Sequence, residues 1–207
     1  MRTGTKHLTV GAMAGLAWGC GLRGFMTQVT TDPSTVTWTG TFLWILLPGV
    51  VTGALLGLAE HLRRADGGPR GRLLVWSPFL FASVLVAELI RTGSTLQGGI
   101  GGAALGVPAF GVIGAYAIAG TRTWSRITCA LLALSVIPIW GLSATSIGGP
   151  TLALSDPRGL WVALYFWSFL AVLMAACAIP LRIPDRRVRR RQNPSRRGRL
   201  GFRSRWR

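Results

Sequence analysis

Three charged residues inside long apolar segments have the clearest potential for chemistry in this sequence. Arg23 lies near the end of the first apolar segment, and Glu88 and Arg91 lie near the end of the third. Ionisable side chains are costly within hydrocarbon, and those that occur there are frequently functional. Two arginines could bind an anionic group, while Glu88 orients one of them or carries a proton. The sequence therefore predicts an outward-facing binding site formed by Arg23, Glu88 and Arg91.

The same three residues also fit a purely structural role. Glu88 could form an ion pair with Arg23, or with Arg91 three residues further along the same helical face. The arginines could then extend their charged ends to the membrane surface. One acid and two arginines do not make a proton relay, and the sequence leaves both interpretations open.

No other residue pattern points to catalysis or to a bound cofactor. The sequence contains no zinc-protease helix motif, no nucleophile-elbow motif and no phosphate-binding loop. His7 and His61 are too far apart for a metal-site spacing, and Cys20, Cys129 and Cys177 stand singly in apolar segments. We therefore expect no metal site and no cofactor, and an enzyme that handles lipid is the least favoured of three function classes, because no nucleophile or metal set is visible.

The apolar segments that carry these residues predict a bundle of membrane-spanning helices. Charged residues make up 14% of the chain, against about 25% in soluble domains. A helix needs about 20 mostly apolar residues to cross a bilayer. The predicted fold is therefore all-α, a polytopic membrane protein whose single domain, residues 1–181, holds about six transmembrane helices. The predicted spans are residues 8–26, 38–62, 73–90, 98–120, 124–142 and 159–181.

The basic residues predict how these helices are oriented. With a cytoplasmic N-terminus, twenty of the 23 lysines and arginines fall on the inner side, and Arg23, Arg91 and Arg158 fall on the outer side. This asymmetry follows the positive-inside rule, and six spans place both termini in the cytoplasm. Arginine outnumbers lysine by 22 to one, which is typical of GC-rich bacterial genomes, so we expect the plasma membrane of a bacterium.

Residues 182–207 form a segment of different character. Twelve arginines fall in this segment, and it contains no long apolar run. We expect a cytoplasmic tail that is disordered when free and that contacts anionic lipid headgroups, at about 1 kcal/mol per basic residue near the surface. Specific nucleic-acid binding is not expected, because arginine runs contact phosphate without sequence preference.

Rows of glycine predict how the helices pack. Glycine at every fourth residue makes a groove that a neighbouring helix can enter, and close packing matters because helix association in lipid lacks a hydrophobic drive. Prolines within the apolar segments are expected to kink their helices, with neighbours satisfying the freed carbonyl groups. The predicted rows are Gly11, Gly15 and Gly19; Gly49, Gly53 and Gly57; and Gly98, Gly102 and Gly106, and the prolines are Pro48, Pro78, Pro108 and Pro138.

Two function classes are compatible with these patterns. The first is a small permease or channel-like transport protein whose site is the Arg23, Glu88 and Arg91 cluster. The second is a non-catalytic membrane scaffold or subunit whose glycine-rich faces pack against a membrane partner or a second copy. The sequence identifies neither a solute nor a partner other than the lipid bilayer.

Overall fold

Helices make up the part of the chain that the structure describes. The computed structural model describes residues 2–30, 35–65, 70–83, 85 and 100–182. Within these residues the chain is helical and contains no strand. The prediction of an all-α fold is confirmed for this part of the chain. The predicted tail, apart from Arg182, lies outside the described residues.

The helices follow one another in six stretches separated by short connections or by residues outside the description. Short 3₁₀ turns, Pro150–Leu152 and Ile179–Leu181, flank the last helix. In chain order the helices are α1 (Arg2–Val29), a π-helix (Trp38–Leu46) continued by α2 (Leu47–Ala65), α3 (Arg70–Leu73) continued by a 3₁₀-helix (Leu74–Ala82), α4 (Ile100–Ala119), α5 (Thr123–Leu134), α6 (Val136–Gly148) and α7 (Pro157–Cys177).

Three of these stretches are long and apolar enough to cross a membrane. They are Trp38–Ala65, Thr123–Gly148 and Pro157–Leu181, with lengths of 28, 26 and 25 residues. At about 1.5 Å per residue, each exceeds the roughly 30 Å of a hydrocarbon core. Two shorter apolar helices cover Gly71–Ala82 and Ala104–Ala119. These lengths and compositions are those of a membrane protein.

The first two helices pack against each other through their glycine rows. A Cβ atom at Gly11 would overlap the carbonyl oxygen of Gly53, and one at Gly15 would overlap that of Gly49. The contact is reciprocal, since a Cβ atom at Gly53 would overlap the carbonyl oxygen of Gly11. The helices run antiparallel, because residues early in α1 face residues late in α2. Backbone therefore lies directly on backbone along this interface.

The second half of the described chain packs mainly through larger side chains. In α4, Gly111 lies against Leu173 and Gly114 against Met174, both from α7. Phe25 of α1 stacks on Phe166 with ring centroids 5.2 Å apart. An apolar core therefore joins α1 and α4 to α7.

The stretch Thr123–Gly148 differs from its predicted bounds of 124–142 in two ways. The helix is interrupted at Ser135, three residues before Pro138, because a proline lacks the N–H group and its ring clashes with the carbonyl four residues earlier. The helix also continues six residues further than predicted. Its last turns are polar, but the hydroxyl of Ser143 donates to the carbonyl of Ile139 at 2.7 Å within the same helix. Gly149, with φ of +82°, ends it.

The ends of the helices lie in two groups, at opposite ends of the molecule. At one end, the start of α1 lies against the end of α2, where Gly4 faces His61, and α3 begins beside them. We call this the basic end, because it carries Lys6, Arg63, Arg64, Arg72, Arg122 and Arg126. At the opposite end, Gly148 lies against Val29, and the Arg158 guanidinium donates to the carbonyl of Gln28 at 3.3 Å.

Candidate functional site

Arg23 continues the glycine row of α1 by one helical turn. Gly15 faces Gly49 of α2, and Gly19 faces Ile45 and Leu46 at the end of the π-helix that precedes α2. The same antiparallel register brings Arg23 opposite Thr41. The structure therefore places Arg23 half-buried on the face of α1 that packs against the second helical stretch, near the opposite end from the basic end.

Two hydrogen bonds hold the Arg23 guanidinium. Its Nε donates to the hydroxyl of the buried residue Thr41 at 3.3 Å, and its Nη2 donates to the carbonyl of Thr35 at 2.7 Å. A guanidinium carries five N–H donors. Within the described residues, two of these five have partners. Arg23 is thus held by two hydrogen bonds, and its other three N–H donors have no partner among the described residues.

A π-helix, Trp38–Leu46, supplies the hydroxyl that binds Arg23. The Thr37 hydroxyl caps its first turn by accepting the N–H of Gly40 at 3.0 Å. At its end, the N–H of Leu47 donates to the carbonyl of Phe42 five residues earlier, just before Pro48, which has no N–H to donate. π-helical segments are rare and occur frequently at functional sites. Thr41, which contacts Arg23, therefore lies within a π-helical segment of the backbone.

The other two residues of the predicted cluster are not placed. Glu88 and Arg91 lie outside the described residues. Of the predicted binding site, the described structure thus contains Arg23 with its two threonine partners. The cluster of three remains a prediction from the sequence.

Two aromatic side chains, Trp18 of α1 and Tyr165 of α7, donate hydrogen bonds that join α1 to α7 close to Arg23. The Trp18 indole N–H donates to the carbonyl of Phe169 at 3.1 Å. The Tyr165 hydroxyl donates to the carbonyl of Gly21 at 2.7 Å. The segment of α1 that carries Arg23 is therefore held by the second helical stretch on one side and by α7 on another.

An ion-pair cluster lies at the basic end of the same helix pair. The Glu60 carboxylate accepts two hydrogen bonds from Arg63, both at 2.7 Å, and one from Arg64 at 2.5 Å. Rings of His7 and His61 lie 6.0 Å apart beside it. The described part of the chain contains no group of three side chains that could bind a metal ion. The arrangement fixes the end of α2 and leaves Glu60 with its charge balanced.

The glycine rows differ in what surrounds them. Those of α1 and α2 lie in the helix contact described above. In the third predicted row, Gly98 lies outside the described residues and Gly102 lies in α4. A Cβ atom at Gly106 would meet nothing within 4 Å. Among the α4 glycines whose surroundings the structure describes, Gly111 and Gly114 contact another helix.

Thr41 and Tyr165 are polar partners that the sequence analysis did not identify. For Thr41 a signal was present: when the two glycine rows are aligned antiparallel, the next turn pairs Arg23 with the threonine that precedes the α2 row. Tyr165 has no comparable signal, because its partner is a backbone carbonyl.

Comparison with known protein families, with characterised proteins and with solved structures finds no match for this chain.

Proposed function

We propose that the protein is a multi-pass protein of a bacterial plasma membrane, with six spans and both termini in the cytoplasm. Two features support this placement. Most of the described cationic side chains lie at the basic end, whereas Arg23 and Arg158 lie near the opposite end, and the positive-inside rule requires such an excess at a cytoplasmic face. Helices α5 and α6 expose large apolar side chains over most of their length, among them Leu131, Leu134 and Leu142. Lipid is the solvent in which such a surface is stable.

Labelling of single cysteines tests this orientation. In a chain with Cys20, Cys129 and Cys177 replaced by alanine, we introduce Ser155→Cys at the opposite end or Thr123→Cys at the basic end. An impermeant maleimide should label the first variant in intact cells and the second only after permeabilisation. The reverse pattern, or equal labelling of both in intact cells, rejects the proposed orientation.

For its activity, we propose a small permease or channel-like transport protein with an outward-facing arginine site. One observation carries this proposal: Arg23 is half-buried, is fixed by two hydrogen bonds and retains three N–H donors without partners in the described residues. A fixed guanidinium with free donors can bind an anion without first reorganising. Glu88 and Arg91, predicted at similar depth, would complete the site.

Anion flux into proteoliposomes tests the transport proposal. The probes are chloride, inorganic phosphate and acetate, each measured against protein-free liposomes. Arg23→Gln should lower the flux of the transported anion about tenfold or more, since a charge-assisted hydrogen bond contributes about 1.5–3 kcal/mol. Arg158→Gln is the matched control, because Arg158 is exposed at the same end of the molecule. Equal flux in Arg23→Gln and wild type, or no flux of any probe, rejects the proposal.

A scaffold role is the second candidate, and the open position at Gly106 favours it. The glycine rows of α1 and α2 are covered within the chain, whereas the described surface around Gly106 is free to receive a partner or a second copy. A scaffold should keep its oligomeric mass in mild detergent when Arg23 becomes glutamine and lose it when Gly106 becomes leucine. A transporter that acts as a monomer should show no change of mass in either variant.

A further inference from the structure

A cavity with both polar and apolar lining residues opens at the basic end, away from the Arg23 site. Its volume is about 180 Å³, more than ten times the roughly 10–15 Å³ that a single water molecule needs. Four parts of the fold meet there: α3, the end of α4, the start of α5 and the 3₁₀ turn that follows α7. The lining side chains include Arg72, Tyr116, Thr121, Arg122, Ser125 and Leu181.

The charge of the cavity is positive and is not balanced from within. Arg72 and Arg122 both line it, and none of its described lining residues is acidic. Throughout the described residues, neither guanidinium forms an ion pair. Arg63 and Arg64 lie at the same end of the molecule but differ from the cavity arginines, because Glu60 accepts hydrogen bonds from both. Among the described residues, the two cavity arginines therefore have no acidic partner, and their N–H donors can bind an anion.

Hydroxyl groups and a helix start add further donors. The side chains of Tyr116, Thr121 and Ser125 carry hydroxyls, and each lines the cavity. Helix α5 begins at Thr123, and no side chain caps its first turn. The unpaired N–H groups and the dipole of a helix start favour an anion at this place. Two guanidiniums, three hydroxyls and this helix start together match the many acceptor oxygens of a phosphate group.

The position of the cavity indicates which phosphate it meets. Trp124, beside the lining residue Ser125, is 83% exposed. Tryptophans at helix ends typically lie at the level of the lipid headgroups. With the basic end at the cytoplasmic face, the cavity lies at the headgroup level of the inner leaflet.

We infer that this cavity binds the phosphate group of an anionic phospholipid of the inner leaflet, held by Arg72 and Arg122 with the hydroxyls of Thr121 and Ser125. The described lining residues of this cavity all precede the arginine-rich segment, residues 182–207. The inference rests on the proposed membrane placement and orientation. It does not rest on transport activity.

Lipid binding by the full-length protein tests this site. Native mass spectrometry in detergent measures binding of phosphatidylglycerol, of phosphatidylcholine and of inorganic phosphate alone. The protein is first washed in about 1 M salt, where a Debye length of about 3 Å screens the contacts of solvated charges such as those of the tail. The double variant Arg72→Gln/Arg122→Gln should bind phosphatidylglycerol at least tenfold more weakly than wild type.

Matched variants separate this site from general charge effects. Arg64→Gln/Arg126→Gln removes the same charge from the same end, outside the cavity lining, and should bind phosphatidylglycerol within about twofold of wild type. Ser125→Glu should weaken binding by placing a carboxylate in the cavity, while its position in the first turn of α5 favours the fold. Thr123→Glu, in the same turn but not lining the cavity, is its control.

The outcomes distinguish the sources of the phosphate. Preference for phosphatidylglycerol that is lost in the cavity variants supports a lipid site. Equal binding of inorganic phosphate supports a phosphate site but overturns its assignment to lipid. Equal loss in the cavity variants and their controls overturns the site altogether. If labelling shows the basic end outside, the proposed orientation fails independently of whether the cavity binds phosphate.

Discussion

At the scale of single residues, buried hydroxyls show which polar groups of the bundle are satisfied. The Thr52 hydroxyl, on α2, donates to the carbonyl of Ser77 at 3.2 Å. The hydroxyl of Ser77 itself is buried and has no partner in the described residues. A buried hydrogen bond stabilises a fold modestly, whereas an unsatisfied buried group costs its desolvation. The hydroxyls of Thr52 and Ser77 therefore change the free energy of unfolding in opposite directions.

This contrast predicts opposite effects for two conservative substitutions. Thr52→Val should lower the free energy of unfolding by about 1 kcal/mol, because it removes the hydrogen bond between α2 and the 3₁₀-helix. Ser77→Ala should leave the free energy of unfolding unchanged or raise it by up to about 1 kcal/mol, because the substitution removes an unsatisfied hydroxyl. Unfolding by dodecyl sulfate in mixed micelles, followed by circular dichroism, measures both. A loss of stability in Ser77→Ala would show that its hydroxyl has a partner.

At the scale of helices, the α1–α2 contact depends on glycine for a steric reason. The backbones of the two helices approach so closely that a Cβ atom at Gly53 would lie 2.8 Å from the Cα atom of Gly15. That neighbour is backbone and cannot rotate away. Both helices would have to separate along the whole row, which would also move Arg23 from Thr41.

Two Gly→Ala substitutions separate this packing role from helix propensity. Gly53→Ala should lower the free energy of unfolding by about 2 kcal/mol or more, because overpacking forces the helices apart. Gly106→Ala should raise it by about 0.5–1 kcal/mol, because alanine favours the helix and Gly106 has open space. The same mixed-micelle titration measures both variants. Equal effects at the two positions would contradict the packing role.

The sequence predicts the existence of these helices better than their local geometry. Apolar segments identify each described stretch because a span needs length and apolarity alone. The π-helix at Trp38–Leu46 and the 3₁₀-helix at Leu74–Ala82 depend on hydrogen bonds that no periodicity encodes. Prolines were predicted to kink four helices. The α-helical hydrogen-bonding pattern continues through Pro108, whereas it is interrupted at Ser135 ahead of Pro138.

Predictability of the candidate site divides in the same way. The sequence identifies Arg23 as a candidate because it is a charged residue within an apolar segment. Its contact with Thr41 can be predicted only when the partner helix and its register are known. The cavity at the basic end combines residues 72 to 181 from four separate parts of the chain. Such a combination requires the tertiary structure.

At the scale of the whole molecule, the identity of the surrounding solvent decides how the surface should be interpreted. No residue of α5 is buried, and its exposed residues include Ile127, Leu131 and Leu134. In water these neighbouring apolar side chains would form an exposed patch of the kind that marks an interaction site or causes aggregation. In a bilayer the same side chains are solvated by lipid tails, and their exposure costs nothing.

An arginine placed on this surface distinguishes the two solvents. Leu134 is 58% exposed near the middle of the stretch Thr123–Gly148. In water, Leu134→Arg would change stability by no more than about 0.5 kcal/mol, as for most surface substitutions. At the centre of a bilayer it should cost about 2.5–3.5 kcal/mol. We therefore expect the Leu134→Arg protein to be lost from the alkali-washed membrane fraction, as measured by immunoblot. The Thr123→Arg protein, substituted at the basic end, should be retained in that fraction. A Leu134→Arg protein recovered at wild-type level would contradict lipid as the solvent of this face.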